Sequence, residues 1–165
     1  MTPTLSRIQR LKGATSRYVR VNTVYAERVD PLPKAEFAFP GPLRDKLVAA
    51  ILRGEKISTT GLLLDYESEG EPLPVPGELS AVVDSDDRAV AVIQTDSVEV
   101  RRLGEVDLRH AIDEGEGYES VAQWRAGHER FWRSYHPDLS IDDDLLVVLE
   151  RFHLVRLQAG NGTFG

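Results

Sequence analysis

The chain has 165 residues, 41% of them hydrophobic and 28% charged, with a net charge of −7 and no cysteine. That length suits one domain with a sizeable core, and the composition is that of a soluble globular protein. The lack of cysteine excludes disulfides, thiolate nucleophiles and cysteine zinc sites, and a reducing cytoplasm is the expected compartment.

No apolar run approaches the roughly 18 residues of a membrane span, and the first residues lack the apolar core of a secretory leader. The negative net charge argues against a general nucleic-acid coat protein. Its distribution is uneven. In residues 1–34, Arg7, Arg10, Lys12, Arg17, Arg20, Arg28 and Lys34 stand against only Glu27 and Asp30, and the remainder is acidic. Residues 1–35 therefore read as a basic N-terminal extension, either an arm for an acidic partner or a solvated segment.

Within that extension a short helix is possible around Leu5–Leu11, and Arg17–Tyr25 has a weak strand pattern. Asp30-Pro31-Leu32-Pro33 breaks regular structure, so the main domain is expected over 36–157. Gly41-Pro42 opens a helix whose Leu43, Leu47 and Ile51 recur every four residues, and Gly54 ends it. Lys56–Leu64 reads as a strand and Asp65–Gly77 as an exposed loop. Glu78–Asp84 and Arg88–Thr95 form a hairpin about Ser85-Asp86-Asp87, and Ser97–Leu103 adds a third strand. A short helix starts at Asp107. Glu114-Gly115-Glu116-Gly117 is a loop, and Ser120 with Gln123 caps a long helix that Pro137 ends. Asp142-Asp143-Asp144 is a charged turn, Leu145–Leu157 the last strand, and 158–165 a disordered tail.

No phosphate-binding glycine loop, dinucleotide fingerprint, nucleophile elbow or zinc-protease helix is present. His110, His128, His136 and His153 have no pair at helical metal spacing, so no metal and no cofactor is expected. The run Lys56-Ile57-Ser58-Thr59-Thr60 concentrates a cation and three hydroxyls. A desolvated lysine can activate a threonine as nucleophile, and an ammonium with hydroxyls can bind a phosphate or carbonyl oxygen. The same run also suits the solvent face of a strand. Glu114 and Glu116, on a glycine-flanked loop, can be positioned carboxylates or parts of a flexible acidic loop. His128 and Trp124 lie on the apolar face of their helix, as core residues or as walls of a pocket.

Taken together, Gly54-Glu55-Lys56, Thr59 three residues on, Leu62–Tyr66-Glu67, Glu114-Gly115-Glu116-Gly117, Trp124-Arg125 with His128-Glu129 and Phe131, and Glu150-Arg151-Phe152 resemble the ASCH domain family. The likeness runs from about Phe37 to Leu157. It implies an α+β fold, a mostly antiparallel PUA-like β-barrel with flanking helices. It also implies a cleft that binds RNA or a modified nucleoside around Lys56 and Thr59. Some members are ribonucleases, and small ones hydrolyse N4-acylated cytidines with a threonine, a lysine and a glutamate. By motif position these resemble Thr59, Lys56 and Glu114, with Glu116 one register away.

Ser58, Thr60, Tyr66, Glu116, Trp124, Arg125 and His128 are the expected substrate contacts, with Tyr66 or Trp124 as a stacking surface. Two features depart from the family. Gly61 stands where hydrolytic members carry an arginine. A regular strand would also place Lys56, Ser58 and Thr60 on one face and Thr59 on the other, so catalysis by Lys56 and Thr59 needs a bend between them. Three functions remain: an RNA- or nucleoside-binding module, a hydrolase, or an interaction domain without a ligand. The oligomeric state is open.

Overall fold

Helix α1 spans Pro42–Leu52, with proline in its first turn and Gly54 at φ +76° just past its end. Both are where the sequence puts them, because proline lacks the N–H that a first turn leaves unpaired and glycine tolerates the left-handed conformation. The computed structural model describes residues 18–19 and 32–155. The rest of the basic extension and the expected tail lie outside the described residues, as do the helix at Leu5–Leu11 and most of the strand at Arg17–Tyr25.

Five strands form one mixed sheet: β2 (Leu32–Ala35), β3 (Ser58–Leu62), β4 (Leu79–Val83), β5 (Ala89–Arg102) and β6 (Leu146–Leu154). Their spatial order is β2-β4-β5-β6-β3, and the two-residue β1 (Tyr18–Val19) pairs antiparallel with β2. The β2–β4 pairing is parallel and the other three are antiparallel. The α+β class holds, but the sheet does not close into a barrel. The outer side of β3 meets a helix instead of a closing strand: Ile57 N donates to Asp113 O at 2.8 Å and Ser58 Oγ to His110 O at 3.2 Å. Both acceptors belong to α3 (Leu108–Asp113).

Three elements differ from the sequence reading. Leu32 and Pro33, expected as part of the Asp30–Pro33 break, belong to the strand Leu32–Ala35; Pro33 sits opposite Tyr18, and Lys34 and Ala35 pair with Ala81 and Val82. The strand run expected through Leu64 stops at Leu62, and the start of the expected loop is helix α2 (Leu63–Glu69), ended by Gly70 at φ +63°. The two strands expected on either side of Asp96 are one strand, β5, whose register shifts between Thr95 and Ser97, as a bulge requires.

Helix α4 (Val121–Tyr135) starts at Ser120, whose side chain accepts from Gln123 N. Its Trp124, Phe131 and Trp132 pack into one core with Leu47 and Ile51 of α1 and Val82, Ile93, Val147 and Phe152 of the sheet. Among the described residues no helix is long and apolar enough to cross a membrane.

Candidate functional site

Lys56 stands in the link between α1 and β3. The amides of Glu55 and Lys56 both donate to Ala50 O, and β3 pairing begins only at Ser58. Lys56 and Ile57 thus precede the paired part of β3. Lys56 is fully buried. Its Nζ donates to Ser58 O at 3.0 Å, Glu114 O at 3.1 Å and Glu116 Oε1 at 3.2 Å, which commits all three of its hydrogens. The Phe37 ring lies 5.8 Å away, within cation–π range.

Glu114 caps the C-terminus of α3 and is also fully buried. Its Oε1 accepts from Thr60 Oγ1 at 2.5 Å and Trp124 Nε1 at 3.0 Å, with His110 Nε2 3.3 Å away. On its other side, His128 Nε2 approaches Oε2 to 3.2 Å without hydrogen-bond alignment. His128 Nδ1 lies 2.9 Å from Trp124 O. A carbonyl only accepts, so Nδ1 carries a proton, and an imidazolium satisfies the carboxylate as well. The buried group is then balanced: the Lys56 ammonium and the His128 imidazolium against Glu114 and Glu116. Such pairing is what permits ions in an interior.

Burial pushes the Glu114 carboxyl up. The His128 charge, the hydrogen bonding of the two histidines and the Lys56 charge outweigh that and hold it well below the usual carboxylate range. Burial pushes His128 down, and the charges of Glu114 and Glu116 with the Trp124 carbonyl reverse this, leaving it raised. The signs follow by linkage. A raised His128 contributes stability below its unfolded value of 6.5 that is lost as pH rises through its folded value. A lowered Glu114 contributes stability above its unfolded value of 4.5 that is lost as pH falls through its folded value. The stability gap between the native chain and His128→Gln should thus be widest between those pH values and narrow towards alkaline pH. Urea midpoints measured across pH check this; a gap that widens with alkalinity would contradict it.

The structure gathers Lys56, Thr60, Glu114, Glu116, Trp124 and His128, with Ser58 bordering them through its bond to His110 O. Three expected residues lie elsewhere. Thr59 follows the strand period and points away from Ser58 and Thr60; it pairs with Glu150, and its Oγ1 is buried without a hydrogen-bond partner. Tyr66 packs with Val148 in a separate small cluster. Arg125 pairs with Glu129 and Asp143 near the surface. Both proposed stacking rings, Tyr66 at 5% and Trp124 at 0% exposure, present no open face.

His110 was missed. Its Nε2 lies 2.7 Å from Thr60 Oγ1. The signal was the His110–Glu114 spacing of one helical turn on a short helix, which a search for histidine pairs passes over. His110 also lines an open groove of about 400 Å³ over β5 and β6, with Arg151 and Leu149 on its floor.

A family model described as the ASCH domain matches residues 35–156. The chain is similar to the crystal structure of an ASCH domain from Lactobacillus crispatus, with a TM-score of 0.61 and 33% identity over 67% of this chain and 71% of that one. It is also similar to the structure of a protein from Enterococcus faecalis, with a TM-score of 0.62 and 27% identity over 68% and 69% of the two chains. No curated protein matches.

Proposed function

The chain belongs to the ASCH domain family, a PUA-like group, and from that premise we propose that it binds RNA or a nucleoside through the cluster around Lys56 and Glu114. One observation carries this reading. An ammonium, two carboxylates and two imidazoles converge at one end of α3, with the Glu114 carboxyl held low and the His128 imidazole raised, and perturbed ionisable groups gather at functional sites.

The test is fluorescence anisotropy with short single-stranded RNA and calorimetry with cytidine, comparing Lys56→Met. Methionine keeps the stem's volume and removes the charge. Affinity is expected to fall about tenfold or more, the worth of a hydrogen bond to a charged group. Affinity that ignores both this change and added salt would remove the reading.

A second reading, hydrolysis of an N4-acylated cytidine, is favoured by the unpartnered hydroxyl of Thr59. Thr59 would attack the acyl carbon, Lys56 would take its proton, and Glu114 would assist departure of the amine. Against it stand the placement of Thr59 on the strand face opposite Thr60, away from the Lys56–Glu114 cluster, the three acceptors on Lys56, one of which must let go before nitrogen can act as a base, and Gly61 in place of a clamp. Incubation with N4-acetylcytidine, comparing Thr59→Val, separates the two readings by whether cytidine appears. An interaction domain without a small ligand is what remains if neither RNA binding nor turnover is found.

A further inference from the structure

We propose that the open groove over β5 and β6 is where this protein takes its ligand, a nucleotide with a phosphate and a base edge, and that His110 connects the groove to the buried Thr60–Glu114 pair. The proposal rests on the RNA-or-nucleoside reading and deepens it by placing the contact surface.

Strand register supplies the first step. On β3 and β6, Ser58 lies opposite Arg151 and Thr60 opposite Leu149. On β6 and β5, Arg151 lies opposite Ser97 and Leu149 opposite Glu99. Directly opposed side chains share a sheet face. One face therefore runs from Ser58 and Thr60, beneath α3, out to Ser97 and Glu99, and only its far half is open. Lys56, Thr60 and Glu114 are each at most 1% exposed, so a ligand arriving from solvent meets the groove before it meets them. The groove's volume of about 400 Å³ falls in the range of small-molecule sites.

The chemistry of the walls supplies the ligand class. Arg101 is held by Glu99 at 2.7 Å, and Arg109 approaches Asp113 at 3.7 Å, with side chains 51% and 84% exposed. Exposed pairs of this kind are weak, so a phosphate can draw both guanidiniums. Glu105 and Asp107, which accept from the amides of Arg102 and His110, keep lone pairs for an exocyclic amine. Among the described residues no Phe, Tyr or Trp lines the groove, so charge, hydrogen bonds, guanidinium planes and the His110 ring do the recognising.

His110 supplies the connection. Thr60 gives its single hydroxyl hydrogen to the Glu114 carboxylate at 2.5 Å, so it accepts from His110 Nε2–H at 2.7 Å. That fixes the tautomer and leaves the Nδ1 edge of a groove-lining ring for the ligand. A contact at Nδ1 then alters the donor that Thr60 receives, and through it the carboxylate.

The experiment is NMR on protein labelled with 15N in its histidine rings, with His110 assigned through His110→Phe. Cytidine 5′-monophosphate, cytidine and inorganic phosphate are the probes. The free protein should show His110 as the Nε2–H tautomer, and the nucleotide should shift its ring signals. Arg101→Gln with Arg109→Gln should weaken nucleotide binding about tenfold or more, and Arg88→Gln on the distant β4–β5 turn should not. Nucleotide binding that spares the His110 signals, or that the double variant does not weaken, overturns the groove and leaves the nucleoside reading standing. Equal saturation by inorganic phosphate overturns the nucleotide assignment. Binding of none of the probes, nor of RNA, at millimolar concentration overturns both proposals.

Discussion

Replacing Glu114 with alanine is expected to lower the unfolding free energy by about 3–5 kcal/mol, the range for a buried ion pair stripped of one partner. The carboxylate is the shared acceptor of Thr60 Oγ1 and Trp124 Nε1, and it faces His128. Alanine leaves two buried donors without acceptors and takes from His128 the carboxylate whose charge raises it most. It also opens a cavity beneath Trp124, so the losses point the same way. For a chain of this length the melting temperature should fall on the order of 10 °C. Glu114→Gln separates charge from packing. Its amide keeps the volume and one acceptor, so the loss should be smaller, and the pH dependence carried by His128 should shrink with the charge. Urea unfolding of both variants near pH 6 measures the effect. A loss under about 1 kcal/mol for the alanine variant, the worth of an exposed pair, would mean that Glu114 does not hold the cluster together.

The parts of this site that the sequence exposed are those fixed by backbone chemistry. Gly54 and Pro42 punctuate α1, Ser120 caps α4, and the period of α4 sends Trp124 and His128 inward; each is a local rule with a local cause. Strand periodicity also places Thr59 on the face opposite Ser58 and Thr60, where it lies. Elements decided by distant contacts were hidden. Helix α2 follows Leu62, whose side chain offers no cap, and Tyr66 is held by packing on Val148 of β6. Leu32–Ala35 contains a proline and becomes a strand because β4 supplies its partner.

His110 was hidden for a related reason. Its role depends on Thr60, 50 residues away in the chain. The family resemblance named Lys56 and Glu114. It could not supply a contact that arises where α3 crosses β3, nor the burial that separates both residues from solvent.

Gly115→Ala is expected to be as damaging as the loss of Glu114, by a steric route. Gly115 has φ +67°, and an added Cβ would lie 2.7 Å from Lys56 N and 2.8 Å from both the carbonyl carbon and oxygen of Glu55. These are backbone atoms, so no rotamer change relieves the contact. The left-handed conformation itself costs an alanine about 1–2 kcal/mol. Overpacking against a fixed backbone adds a further 1–3 kcal/mol, for a total of about 3 kcal/mol or more.

The clash would also act on the site. It pushes the Glu55–Lys56 link away from the loop carrying Glu114 and Glu116, which supply two of the three acceptors of the Lys56 ammonium. Two other glycines isolate the contributions. Gly117 has φ +85° with open space around it, so Gly117→Ala reads the conformational cost alone. At Gly127 the nearest atoms to the added Cβ all belong to the Tyr118 side chain, Oη at 2.4 Å, Cζ at 3.1 Å and Cε1 at 3.3 Å, which can give way where backbone cannot, and alanine gains helix propensity there. Gly127→Ala should therefore be the mildest of the three and Gly115→Ala the worst. The difference between Gly115→Ala and Gly117→Ala measures how tightly the Glu55–Lys56 link presses on the acidic loop. Equal losses in those two variants would show that the close approach at Gly115 does not constrain Lys56.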